Sequence, residues 1–204
     1  MRIFSIESPL YKFFSRLWDI IVLNFMWFIF SIPVITLGAS TVAAYSVALK
    51  MVDDEEGYII PSFVKAFREN LKQGMALGLI TIAAAYVVYL DFAMFHILEE
   101  SPLPLLMIGI LAGAYFILSL LYAYPLAARY RNSILGTIRN SLEISLRYIF
   151  RTLILLVLVV LAIAMILWNT TTFLIGLLIG PAFIIFMIAA FAKRIFQKIE
   201  REQE

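Results

Sequence analysis

Apolar residues run along most of this chain in blocks, separated by short polar or proline-rich stretches. A helix needs ~20 consecutive apolar residues to cross a bilayer, with a working range of about 17–25. Four blocks meet that length directly: 74–97, 103–126, 149–168 and 172–192. Their separators are Glu99-Glu100-Ser101-Pro102-Leu103-Pro104 and Asn169-Thr170-Thr171-Thr172. Proline lacks a backbone N–H and clashes with the preceding turn, so the first of these ends a helix. A fifth apolar block begins near Phe13, runs to Lys50 and is too long for one crossing. It breaks naturally at Ile32-Pro33-Val34-Ile35-Thr36-Leu37-Gly38, giving segments 13–32 and 34–50.

Charge decides between five and six crossings. Lys and Arg in short loops stay cytoplasmic. With six segments, all 16 Lys and Arg fall within 1–16, 50–73, 127–151 and 193–204, on one side. Five spans would leave Arg2, Lys12 and Arg16 opposite the rest. The pattern therefore predicts an all-α membrane bundle: six segments as three hairpins, with both chain ends cytoplasmic. The five-span arrangement with a broken first segment is the alternative. The second segment has only ~16 apolar residues, ~24 Å at 1.5 Å per residue. A helix that re-enters without crossing gives nearly the same charge map. The small residues Gly38-Ala39-Ser40 open another apolar helix, so the first segment reads as a membrane helix and not as a removable signal.

Composition agrees. The 204 residues are 63% hydrophobic and 15% charged, with mean hydropathy +0.97. Soluble domains average about 45–50% apolar and about 25% charged. This balance excludes a soluble enzyme, a nucleic-acid-binding module and a disulfide scaffold. The chain has no cysteine and one histidine, His96, which removes thiolate chemistry and most metal sites. No cofactor is implied.

The two long inner loops carry helical patterns. Phe63, Phe67 and Leu71 repeat at four-residue spacing beside a basic stripe of Lys65, Arg68 and Lys72. Ile134, Ile138 and Leu142 do the same beside Arg139, Glu143, Arg147 and Arg151. Such helices lie in the interface with cations toward lipid head groups, or present a docking surface to a partner. G-x-x-x-G occurs at Gly74/Gly78, Gly109/Gly113 and Gly176/Gly180, and Ser40, Ala44 and Ala48 share its spacing. Small residues at this interval let helix backbones approach, within one chain or between copies.

Candidate chemistry is sparse. Ionisable groups inside a membrane are costly and mark function by default. Only Asp19 and Asp91 lie within apolar segments, both near span ends, with His96 one turn beyond Asp91. Asn24, Ser31, Thr36, Thr81 and Ser119 suit interhelical hydrogen bonding. Pro33, Pro125 and Pro181 could open carbonyls toward a substrate, as in transporters. The acidic run Asp53-Asp54-Glu55-Glu56, closed by Gly57, reads as a solvated turn or a cation site. The chain contains no phosphate-binding loop, dinucleotide turn, H-E-x-x-H or G-x-S-x-G motif. Nor does it contain the E-A-A-x-x-x-G loop by which sugar-importer permeases dock their ATPase.

Trp27 to Lys50, WFIFSIPVITLGASTVAAYSVALK, resembles the signature of the YesL-like family of uncharacterised bacterial integral membrane proteins. Trp27, Ile32, Pro33, Thr36, Gly38 and Ala44 carry the pattern. It continues through Gly57-Tyr58, the 63–73 segment and Pro125 to Arg129. The resemblance implies a polytopic plasma-membrane protein. Genes of this family tend to lie beside those for polysaccharide breakdown and ATP-driven sugar import. That implies a non-enzymatic accessory or scaffold subunit, with membrane lipid and permease subunits of a sugar ABC transporter as partners and no nucleic acid. An independent small-solute transporter or channel and a membrane sensor are the alternatives. The resemblance brings no catalytic residues with it.

Overall fold

The computed structural model describes residues 9–55, 57–97 and 103–203. Within them the chain forms α1 (Pro9–Ser31), a 3-10 turn (Val34–Thr36), α2 (Leu37–Met51), α3 (Ile59–Ile97), α4 (Leu103–Arg129), α5 (Ile134–Arg147), α6 (Ile149–Ile166) and α7 (Thr170–Gln203). No strand occurs among the described residues. All of these helices except α5 are long and apolar enough to cross a membrane, six in total. Arg2, Glu56 and residues 98–102 lie outside the described residues.

The break at Pro33 has its own hydrogen-bonding economy. Pro33 is extended (φ −74°, ψ 113°), and α1 stops two residues earlier. The Thr36 hydroxyl donates to Phe30 O at 2.7 Å and lies 2.8 Å from Pro33 O. The Thr36 amide also donates to Pro33 O at 2.8 Å. Non-helical backbone at membrane depth has no water to satisfy it, so such internal partners are required. Ile32, Val34 and Ile35 project outward, exposed and apolar. Behind the turn, Ser31 and Ser40 share a hydrogen bond at 2.5 Å, and Trp27 Nε1 donates to Thr41 Oγ1 at 3.0 Å.

The short second segment is the centre of the molecule. Across Val34–Met51, the 3-10 turn and α2 together, 61% of residues are buried, against 11–33% for the other five spans. A helix enclosed by protein does not have to match the bilayer with its own length. The small residues of α2 matter because α3 lies against it at backbone distance. A Cβ on Gly38 would stand 2.2 Å from Gly74 O and 2.6 Å from Gly78 Cα. Likewise, a Cβ on Gly74 would stand 2.5 Å from Ala39 Cα. Ser40, Ala44 and Ala48 are fully buried, so this small-residue face is not available to a membrane partner.

The 62–73 segment is not a separate interfacial helix. It is the start of the 39-residue α3. The apolar stripe expected to meet lipid instead meets protein: Phe63 is fully buried, and the Phe30 ring lies 5.3 Å from Phe63 and 4.8 Å from Phe67. Lys65, Arg68 and Lys72 stay exposed on the outer face. The first hairpin is consequently staggered against the second. Its tip packs at Gly74–Gly78, and α3 runs on about 28 Å beyond it, at 1.5 Å per residue, to Ile97.

Helix α5 begins at Ser133, whose Oγ accepts from Gly136 N at 3.2 Å. It folds back onto α4 through its hydroxyl face: Ser141 Oγ donates to Ser119 O at 2.5 Å and Ser145 Oγ to Leu118 O at 2.8 Å. The expected apolar stripe of Ile134, Ile138 and Leu142 is only half-buried. Helices α6 and α7 form the last hairpin, with Ile166 seated on Gly176 and Gly180.

The glycines differ in a way stability can report. Gly38→Ala forces two backbones apart and is expected to cost about 1–3 kcal/mol. A Cβ on Gly109 would meet Asp91 Cβ at an ordinary 3.5 Å, so Gly109→Ala should fall within about 0.5 kcal/mol of wild type. Thermal unfolding in detergent measures both, and equal stabilities would overturn the close contact.

Candidate functional site

Two polar constructions stand out, one inside the bundle and one at its basic end. The first joins α1 to α7. Pro181 has no N–H, so the carbonyl four residues earlier, Leu177 O, loses its helical donor. Asn24 supplies the replacement: its Nδ2 donates to Leu177 O at 2.9 Å. Its Oδ1 accepts from Ala182 N at 3.1 Å. Asn24 is itself buried. The carbonyl freed by Pro181, a candidate for substrate contact on sequence grounds, is already occupied by the protein's own amide.

The second construction gathers the chain's charges. Lys193, buried near the end of the apolar stretch of α7, donates to Leu49 O at 2.8 Å and pairs with Asp53. Leu49 O is among the last carbonyls of α2, where a cation is favoured by the helix dipole. Next in sequence, Asp54, at φ 58°, pairs with Arg16 of α1. The acidic turn after α2 thus clamps α1 and α7, and its two aspartates have protein cations as partners. Across the same end, Arg129 makes a two-pronged contact with Glu200: Nε to Oε1 at 3.2 Å and Nη2 to Oε2 at 2.9 Å. The Tyr130 hydroxyl also donates to Glu200, at 2.5 Å. Burial, reinforced by this bond to a carboxylate, pushes the Tyr130 phenol up to about 12. It therefore keeps its proton and remains a donor at any physiological pH. Arg147 pairs with Glu202 at 2.7 Å, and the Tyr148 ring carries Arg147, Arg151 and Lys198 within 5.5–5.9 Å.

A cleft of about 310 Å³ opens between the ends of α4, α5 and α7, lined in part by Tyr130, Asn140, Glu143, Arg147, Phe196 and Glu200. The structure brings Arg147 and Arg151 together around Tyr148. It leaves Arg139 exposed on α5, with no ion pair among the described residues. Asp19 is half-buried in α1, and Asp91 is half-buried on α3 opposite Gly109. The side chain of His96 lies outside the described residues. Among the described residues no three His, Asp or Glu side chains gather as a metal site. Tyr130, Lys193 and Glu200 are not singled out by sequence patterning. The one signal for Lys193 is its place as the first cation after a long apolar run.

These features define a multi-pass helical membrane protein held together at one charged end. Residues 20–92 match the model of a family described as "Protein of unknown function, DUF624". The matched stretch takes in the Pro33 break, the contact of Gly38 with Gly74 and Gly78, and the Trp27–Lys50 signature. No curated protein and no solved structure matches the chain.

The bridge between Asn24 and Pro181 makes a coupled pair. Asn24→Leu should destabilise by about 1–2 kcal/mol, the upper range for polar contacts between membrane helices. In a Pro181→Leu background, Leu177 O regains a helical donor and the same change should cost at least about 0.5 kcal/mol less. Strict additivity in unfolding measurements would show that the amide does not serve the proline gap.

Proposed function

We propose that this protein is a non-enzymatic accessory or scaffold subunit in the plasma membrane of a bacterium, working alongside ATP-driven carbohydrate uptake. One observation carries the non-transporting part of this reading: most polar groups inside the bundle are engaged by the protein itself, the buried Ser119 hydroxyl being an exception. Asn24 serves the Pro181 gap, Thr81 bonds Tyr124 at 3.0 Å, and the α5 serines bond α4 carbonyls. A transporter of sugars needs polar groups free for substrate along its path. Apolar side chains instead dominate the outer flank, including Tyr86, Val87, Met107 and Leu111. The carbohydrate assignment rests on the YesL-like resemblance. The charge map favours both termini in the cytoplasm, where the cleft beside Arg147 and the exposed Arg139 would face a partner.

Co-purification in mild detergent from the native host tests the assignment. Recovery with permease subunits of a sugar importer is the expected result. Sugar movement by the purified protein alone in liposomes would overturn it in favour of a transporter, and recovery with a sensor kinase would favour a regulator. Orientation can be read separately, because the chain lacks cysteine and single-cysteine variants label cleanly. A thiol at Thr171 should react with an impermeant reagent in intact cells, and one at Gln203 only after lysis. The reverse pattern would invert the topology.

A further inference from the structure

Where α6 begins and α7 ends, the two helices border a recess of about 450 Å³ lined by Arg151, Phe191, Arg194, Gln197, Lys198 and Arg201. On α7, Phe191, Arg194, Lys198 and Arg201 follow at intervals of three and four residues, which places them along one helix face. Arg151 faces them from the first turn of α6. Four cations and one amide thus line a single recess, and no carboxylate is among the lining residues. Glu202 of α7 pairs with Arg147 at 2.7 Å and more loosely with Lys198 at 3.8 Å. Arg194 and Arg201 have no ion pair among the described residues. Arg151 and Lys198 are drawn to the same side chain, the Tyr148 ring, at 5.9 and 5.5 Å, which favours their staying close. Like charges held this close repel one another unless an anion joins them.

The position of the recess narrows the choice of anion. Thr152 to Ile166 of α6 and Thr170 to Ala192 of α7 contain no charged residue. The recess therefore lies at the edge of the apolar span, the level of lipid phosphates. Phe191 supplies an apolar wall. Above Arg151 on the same stripe of α6, Ile154 is 56% and Leu158 36% exposed, a track along which an acyl chain can lie. Guanidinium forks match phosphate oxygens in pairs, and basic pockets between membrane helices on the cytoplasmic side hold multiply charged lipid head groups.

We propose that this recess binds an anionic phospholipid whose head group carries two phosphates. A single phosphodiester would leave most of this charge unneutralised even with Glu202 3.8 Å from Lys198, whereas two phosphates can be shared among Arg194, Lys198 and Arg201 of α7 and Arg151 facing them from α6. The same recognition chemistry exists in a soluble diphosphate, and the apolar track favours the lipid. The inference rests on the membrane reading of the fold and is independent of any role in sugar uptake.

Native mass spectrometry and thermal unfolding of the full-length protein in phosphatidylcholine nanodiscs provide the test. The probes are cardiolipin, phosphatidylglycerol at matched total charge, and inorganic pyrophosphate. Cardiolipin should be retained in preference to phosphatidylglycerol and should raise the unfolding temperature. The Arg194→Gln/Arg201→Gln variant should lose roughly tenfold in cardiolipin retention, as expected when two charge-assisted contacts go. Arg194→Lys/Arg201→Lys, which keeps charge and loses the forks, should show a smaller loss and serves alone if the glutamine variant is not monodisperse. Lys65→Gln/Arg68→Gln removes equal charge from the α3 stripe and should leave retention unchanged. Equal retention of the two lipids, unchanged retention in the recess variants, or equal loss in the α3 variant would overturn the site. Displacement of cardiolipin by pyrophosphate, with pyrophosphate alone stabilising the protein, would overturn the lipid in favour of a soluble ligand.

Discussion

The architecture depends on the contact of two helix backbones, where Gly38 and Ala39 of α2 meet Gly74 and Gly78 of α3 without intervening side chains. Lipid tails are as apolar as leucine, so hydrophobicity gives membrane helices little reason to leave lipid for one another; close packing and hydrogen bonds supply the preference. With α3 seated this tightly, α2 is held in the interior. The aromatic end of α1 comes to rest on Phe63 and Phe67, and the acidic turn after α2 comes within reach of Lys193 and Arg16.

Proline poses the same problem twice and receives two solutions. At Pro33 the helix ends, and Thr36 gathers the loose carbonyls locally. At Pro181 the helix continues, and a residue distant in sequence, Asn24, crosses to fill the gap. Both follow from the cost of leaving a backbone polar group unpaired where water is absent. They also bear on function, because a proline in a membrane helix is a candidate substrate contact only while its freed carbonyl is unclaimed.

Much of this was legible in the sequence. Twenty apolar residues between polar separators admit few structures other than a spanning helix, and the confinement of every Lys and Arg to four segments marks one basic end. The Pro33 break was legible because the apolar block from Phe13 to Lys50 is too long for one crossing and only a break there keeps every Lys and Arg on one side. The continuity of α3 through 62–73 was not, because a charged amphipathic stretch has the same pattern whether its apolar face meets lipid or another helix. The stagger was equally hidden: it is set by Gly38 choosing Gly74 and Gly78, a pairing that no local periodicity encodes. In α5, the apolar stripe drew attention away from Thr137, Ser141 and Ser145, the face that is most buried. Hydroxyls look polar in sequence, yet they suit a tight helix contact when carbonyls stand opposite. Lys193 and Glu200 follow the same logic, since their partners lie more than seventy residues away or at the edge of that distance.

The stagger of the first hairpin has a mechanical corollary. The ion pairs between elements lie at the basic end: the Asp53–Asp54 clamp, the Arg129–Glu200 pair with Tyr130, and the cations around Tyr148. Some 28 Å further along α3, the α3–α4 hairpin is held chiefly by its own two strands of helix, with Gly113 against Val88 and Gly109 against Phe92. That arm of the molecule therefore has the geometry of a cantilever, tied by charge at its base and by close packing alone toward its tip.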